Sequence, residues 1–171
     1  MDDDKIRIAG LVKESIVDGP GFRYVVFTQG CPHNCKECHN PHTHPVEGGK
    51  LESIDYIAED IKKNPLLKGI TLSGGEPFLQ AKKLVKLLDK IDLNRYSVLT
   101  YTGFEYEYLL KNANEQNGYL ELLERTDVLI DGKFVVELKM NNDKKFRGSS
   151  NQRAIDVKNS LNTNKIIEYE F

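Results

Sequence analysis

Apolar residues fall in short runs and stripes that set the order of elements. Ile6–Leu11 and Arg23–Gln29 predict strands, and the second carries Tyr24, Val25, Val26, Phe27 and Thr28 in succession, side chains suited to a pleated, buried surface. Asp18-Gly19-Pro20-Gly21 predicts a turn between them. Ser53–Lys63 predicts a helix with Ser53 as N-cap and Ile54, Ile57, Ala58 and Ile61 on one face. Ile70–Leu72 predicts a short strand. A helix from Pro77 to about Lys90 follows, with Ala81, Leu84, Val85 and Leu88 on one side. Further on, Tyr96–Tyr101 and Val128–Asp131 predict strands, and Phe104–Asn112 and Tyr119–Arg125 predict helices. Phe134–Leu138, Ala154–Val157 and Ile166–Tyr169 have weaker strand character.

Strands alternate with helices from about residue 23 to 131, the pattern of βα units on a parallel sheet. The chain has 171 residues, short of the ~250 of a complete eight-unit barrel. The expected fold is therefore α/β: a single domain over residues 1–171, built as a partial open (βα) barrel of parallel strands.

Composition narrows the function class. Apolar residues make up 39% and charged residues 29%, with a net charge of −2, an ordinary globular balance that gives no reason to expect nucleic acid or a membrane surface as partner. The apolar runs are too short to cross a bilayer. Met-Asp-Asp-Asp-Lys has no apolar stretch of a signal peptide, so a cytoplasmic location is expected.

Residues 30–50 break the pattern. They hold three prolines, three glycines, all three cysteines and all four histidines of the chain, and a long loop of this kind in a small domain is usually functional. Cys31, Cys35 and Cys38 are spaced C-x3-C-x2-C just after a strand. Three thiolates from one loop can hold three irons of a cubane cluster and leave the fourth iron open to a substrate. A structural zinc site, with a fourth ligand from His33, His39, His42 or His44, is the alternative that the spacing leaves open. The second unusual loop is Ser73-Gly74-Gly75-Glu76-Pro77, at residues 73–77. It follows a predicted strand at the edge where parallel α/β folds bind ligands, and its glycines would let backbone approach a ligand closely. Taken alone it reads equally as a plain turn.

Together these motifs resemble the radical S-adenosylmethionine superfamily, in which C-x3-C-x2-C is the cluster loop and Gly-Gly-Glu-Pro binds the methionine amino group. The chain is more closely similar to the anaerobic ribonucleoside-triphosphate reductase activating proteins. That likeness is carried by Asp18–Arg23, Gln29–Cys35, Cys38-His39-Asn40, Asp127–Phe134 and Arg147–Arg153. The resemblance implies a radical oxidoreductase with a [4Fe–4S] cluster and S-adenosylmethionine as cofactors. In that family one electron cleaves S-adenosylmethionine, and the resulting 5′-deoxyadenosyl radical takes a hydrogen from a glycine Cα of the large reductase subunit. The implied partners are that subunit and an electron donor such as flavodoxin or ferredoxin.

Roles carry over by motif match. Cys31, Cys35 and Cys38 would ligate iron, and Gly74, Gly75 and Glu76 would hold the methionine end. Glu37 and His39 would lie against adenine, while Tyr101-Thr102-Gly103 and Asp131, at later strand ends, read either as reaching the ribose or carboxylate or as plain strand-end turn residues. A side chain at Gly75 is then expected to weaken S-adenosylmethionine binding and leave the iron content intact. His33, His42 and His44 receive no role, and Arg147, Asn151, Gln152 and Arg153 read equally as loop structure or as a docking surface. The chain has no cysteines for auxiliary clusters. The alternative function is a small radical enzyme acting on a small molecule, such as a 7-carboxy-7-deazaguanine synthase.

Overall fold

The computed structural model describes residues 2–33, 41–139 and 145–171. Strands β1 (Lys5–Ser15), β2 (Arg23–Thr28), β3 (Lys50–Ser53), β4 (Gly69–Gly74), β5 (Ser97–Tyr101), β6 (Val128–Asp131) and β7 (Arg153–Asp156) form one open sheet of order β3-β1-β2-β4-β5-β6-β7. The central strands β2, β4, β5 and β6 are mutually parallel. The flanking pairs β1–β2, β1–β3 and β6–β7 are antiparallel. The α/β open arrangement is thus as expected at the centre, while the edges differ from an all-parallel sheet. They differ because β1 turns back on β2 through the Asp18–Gly21 turn, and because the described part of the β6–β7 connection holds one 3-10 turn, Val136–Leu138, in place of a crossover helix.

Helices α1 (Ile54–Lys62), α2 (Ala81–Leu88), α3 (Tyr106–Lys111) and α4 (Tyr119–Glu124) connect the parallel strands, and α5 (Val157–Thr163) follows β7. The order β2-β4-β5-β6 never reverses, so right-handed crossovers place these connections on one face. Alternate strand residues Tyr24, Val26, Ile70, Leu72, Val98 and Leu129 join the helices' apolar side chains in one core. On the reverse face Leu99, Val128, Ile130 and Ala154 form a smaller cluster, covered by Tyr101 and Phe171.

Local chemistry explains the element ends. Ser53 caps α1 by accepting the Tyr56 N–H at 3.2 Å, and Ile54, Ile57, Ala58 and Ile61 are buried as the periodicity predicts. The expected long helix from Pro77 is split: Pro77–Gln80 is a 3-10 turn, and α2 begins at Ala81. α2 buries Leu84, Leu87 and Leu88, each such side chain contributing about 1.5–3 kcal/mol when removed from water. Two elements lie outside the sequence reading. β3 is a polar edge strand paired only with β1. α5 is capped by Asp156, which accepts the Asn159 N–H at 3.1 Å. Conversely, Ile166–Tyr169 makes a single bridge, Ile155 with Glu168, in place of a strand.

Candidate active site at the strand ends

The parallel strands end on one rim, and Cys31, Gly75, Glu76, Thr102, Gly103 and Gly132 follow β2, β4, β5 and β6 there. Glu76 is the hub of that rim. It is fully buried, and each carboxylate oxygen accepts more than one hydrogen bond. Oε1 accepts from the Gly103 N–H at 2.8 Å, the Thr102 hydroxyl at 3.0 Å and the His33 Nε2–H at 2.5 Å. Oε2 accepts from the same Thr102 hydroxyl at 2.8 Å and from the Phe78 N–H at 3.1 Å. A buried carboxylate is tolerable only when its lone pairs are engaged in this way.

The two glycines serve close approach, but the close neighbour is the protein itself. Gly74 has φ 96°, a conformation suited to glycine. A Cβ at Gly75 would lie 2.9 Å from the Thr43 carbonyl oxygen and collide with the Gly30 carbonyl. The backbone explains this crowding: the Gly75 N–H donates to the Thr28 carbonyl and the Glu76 N–H to the Gly30 carbonyl, both at 2.8 Å. A side chain at Gly75 therefore disturbs the cluster loop directly, and the expectation that iron content would be untouched does not survive this geometry.

The described ends of the cysteine loop are stitched together. The Gly30 N–H donates to the Thr43 carbonyl at 2.6 Å, and the Cys31 N–H to the His44 carbonyl at 3.0 Å. The buried Gln29 side chain donates to the carbonyls of His42 at 3.0 Å and Pro45 at 2.6 Å. His42 and His44 thus act through their backbones in closing the loop. The His44 Nε2 is buried with no hydrogen-bond partner among the described residues. Cys35, Glu37, Cys38 and His39 lie outside the described residues. Among the described residues no three potential ligands gather as a metal site. Cys31, the described cysteine at the rim end of β2, is of the donor type that holds an iron–sulfur cluster.

Two hollows border the rim. One of about 910 Å³ lies beside His33, Gly103, Phe104, Asp131 and Lys133. One of about 550 Å³ lies on the helix-free face against Phe27, Ser73, Tyr101, Phe146 and Arg147. Both are within the range of small-ligand sites.

A model of the 4Fe–4S single cluster domain family matches residues 17–155. The anaerobic ribonucleoside-triphosphate reductase-activating protein of Enterobacteria phage T4 is 32% identical over 80% of this chain and 85% of its own length. The protein of the same name from Escherichia coli K12 is 34% identical over 80% and 90%. The chain belongs to this activating-protein family. Among solved structures, QueE from Escherichia coli has a TM-score of 0.45 at 18% identity, over 74% of this chain and 71% of that one.

Family membership favours iron–sulfur over zinc at the cysteine loop. It also gives context to residues that the sequence left undecided. Asp131 is buried and spends its carboxylate on the protein: Oδ2 accepts the Tyr106 N–H at 2.8 Å, and Arg153 donates to both oxygens, at 3.0 and 2.5 Å. Arg153 also meets Glu107 at 2.6 Å. These carboxylates raise the Arg153 pKa further, and the Arg153 hydrogen bond holds the Glu107 carboxyl below its ordinary value. In the Arg147–Arg153 signature, Gln152 accepts the Gly148 N–H at 2.7 Å and donates to the Gly132 carbonyl at 3.0 Å. Asn151 donates to the Lys133 carbonyl at 2.8 Å. The signature therefore splints the segment that follows β6.

Three side chains of consequence have partners that no pattern in the sequence pointed to. His33 and Thr102 meet Glu76, and only the fold brings them there. Arg23 is 1% exposed and donates to Thr71, Pro20, Ser97 and Ile70 at 2.8–3.1 Å. Burial pushes its pKa down to about 10. It closes the end of the helix-free face opposite the rim, so its role is structural.

Proposed function

We propose that this protein is a radical S-adenosylmethionine oxidoreductase, folded as one domain over residues 1–171. In this reading Cys31, Cys35 and Cys38 hold a [4Fe–4S] cluster, and the product is a glycyl radical on the large subunit of anaerobic ribonucleoside-triphosphate reductase. When bound, the cluster supplies an electron, received from a reduced flavodoxin or ferredoxin in the cytoplasm, that cleaves S-adenosylmethionine and so drives removal of a hydrogen from a glycine Cα of the reductase.

The observation that carries this reading is the direct bonding of the glycine turn to the loop that bears Cys31, through the Glu76 N–H on the Gly30 carbonyl at 2.8 Å. Two motifs that resemble a cluster loop and a cofactor-binding turn thereby form one site. The β2–β4 ladder runs to Thr28–Gly74, whereas the β4–β5 ladder stops at Leu72–Thr100. The β5-facing backbone of Ser73 and Gly74 lies beyond that ladder, where it can bond the amino-acid head group. Gly75 and Glu76 hold the turn in that conformation. Glu37 and His39 complete the adenine side in this proposal, and Asp131 acts through Arg153 and α3. The helix-free hollow by Ser73 and Tyr101 gives the glycine-bearing segment of the reductase its approach.

The test combines the anaerobically reconstituted protein with S-adenosylmethionine, a reductant and the cognate reductase. Formation of 5′-deoxyadenosine and a glycyl radical doublet in the EPR spectrum is expected, and the doublet should disappear when the target glycine is alanine. Cleavage with no protein radical, together with consumption of a purine-like small molecule, would favour the alternative reading. No helix among the described residues is long and apolar enough to cross a membrane.

A further inference from the structure

We propose that His33 is a positioning residue that, with Glu76, clamps Cys31 from both sides and fixes the cluster loop against the glycine turn; this rests on the function proposed above. Cys31 has a neighbour of Glu76 on either flank. Before it, the Gly30 carbonyl accepts the Glu76 N–H at 2.8 Å. After it, the His33 Nε2–H donates to Glu76 Oε1 at 2.5 Å. One residue of the β4 turn therefore holds the main chain on one side of the cysteine and a side chain on the other.

The surroundings are built for that second tether. The side chains of His33 and Glu76 are 5% and 0% exposed, so water does not compete for the bond. The imidazole stands edge-on to Phe104, with centroids 4.6 Å apart and planes at 78°. Gly103 leaves room for it, since a Cβ there would lie 2.7 Å from His33 Nε2. The other bonds to the Glu76 carboxylate come from Thr102, Gly103 and Phe78. Among these described partners His33 is the one from the cysteine loop.

The consequence is geometric. A head group bound on the Ser73–Gly74 backbone and a metal held at Cys31 keep a fixed separation only if the two loops move together. Displacements of the order of 1 Å between reacting groups cost about a hundredfold in rate. His33 supplies rigidity through another residue and touches no reacting atom. Glutamine can present its amide Nε2–H near the position of the imidazole Nε2–H, whereas leucine fills the space with no donor.

The experiment compares wild type, His33→Leu, His33→Gln and Gly103→Ala after anaerobic reconstitution. All four should load about four irons per chain. In His33→Leu and Gly103→Ala, kcat for 5′-deoxyadenosine should fall at least about tenfold while KM for S-adenosylmethionine moves less than about threefold. The change that S-adenosylmethionine produces in the EPR signal of the reduced cluster should weaken in both. His33→Gln should restore both readouts to within about threefold of wild type. Hydrogen exchange at the Gly75 and Glu76 amides, measured without cofactor, should quicken in His33→Leu. The proposal is overturned if His33→Leu and Gly103→Ala keep the wild-type kcat and EPR response, or if kcat falls only in proportion to lost iron. Should wild type itself form no 5′-deoxyadenosine, the functional reading fails, and the amide exchange decides the clamp: unchanged exchange in His33→Leu rejects it.

Discussion

Replacing Gly75 by alanine sets a methyl carbon 2.9 Å from both the Thr43 carbonyl oxygen and the Gly30 carbonyl carbon. Ordinary contacts begin near 3.4 Å, so the two backbones must separate by at least the difference, and neither is the far end of a flexible side chain. The Gly30 carbonyl is the acceptor for Glu76 N–H at 2.8 Å, and the Gly30 N–H is the donor to Thr43 at 2.6 Å. The methyl group thus enters a three-layer stack of turn, cysteine loop and return loop. Weakening one of these buried bonds costs about 1–3 kcal/mol, and overpacking a site that cannot relax adds about 1–3 kcal/mol. We expect Gly75→Ala to lower the unfolding free energy of the iron-free protein by about 2–5 kcal/mol, measured by urea denaturation monitored by circular dichroism. Iron loading per folded chain should fall with it, because the displaced backbone carries Cys31. A variant within about 0.5 kcal/mol of wild type and with full iron content would refute the packing argument and return Gly75 to a purely ligand-facing role.

Cys31→Ala should abolish loading of the roughly four irons of a cubane, as read by iron and sulfide analysis, and retained stoichiometric iron would exclude Cys31 as a ligand. Arg23→Met removes the hydrogen bonds to the Pro20, Ile70 and Ser97 carbonyls and should cost about 3 kcal/mol or more by denaturant titration, with iron content of the folded fraction unchanged because Arg23 lies at the far end of β2 from Cys31. For pH, Arg153 lowers the Glu107 pKa in the folded state, so the unfolded chain binds the extra proton as pH falls. The Glu107 contribution is full above its unfolded pKa of about 4.3 and is lost as pH drops through the lower folded value. The stability difference between wild type and Glu107→Gln should therefore be present at neutral pH and vanish in acid, and a difference that grows below about pH 4 would contradict that sign.

The central strands and the faces of α1 and α2 were legible because burial on one side of a regular element imposes a periodicity on the sequence. β3 was not, because Lys50-Leu51-Glu52-Ser53 is a short edge strand with one apolar residue, itself exposed, and its state is set by the partner β1. α5 has few strong helix formers in Val-Lys-Asn-Ser-Leu-Asn-Thr, and a cap at Asp156 was the available signal. Phe134–Leu138 had the composition of a strand, yet Val136–Leu138 is a 3-10 turn and Ser149 takes the Val135 N–H at 3.2 Å.

By itself, the sequence determined the α/β class, the order of the central units and the two motifs that share a rim, since each depends on residues close together in the chain. Cysteine spacing and a glycine turn are local chemistry and can be read locally. Only the tertiary structure decided how those motifs meet. It packed Gly74 against Thr28 and Gly75 against Gly30 and Thr43, gave the Glu76 carboxylate to His33, Thr102 and Gly103, and gave the Asp131 carboxylate to Arg153 and Tyr106. The physical reason is that a buried polar group must find partners wherever the fold brings donors within about 3 Å, and for Glu76 and Asp131 most of those donors lie 22 to 43 residues away in the chain.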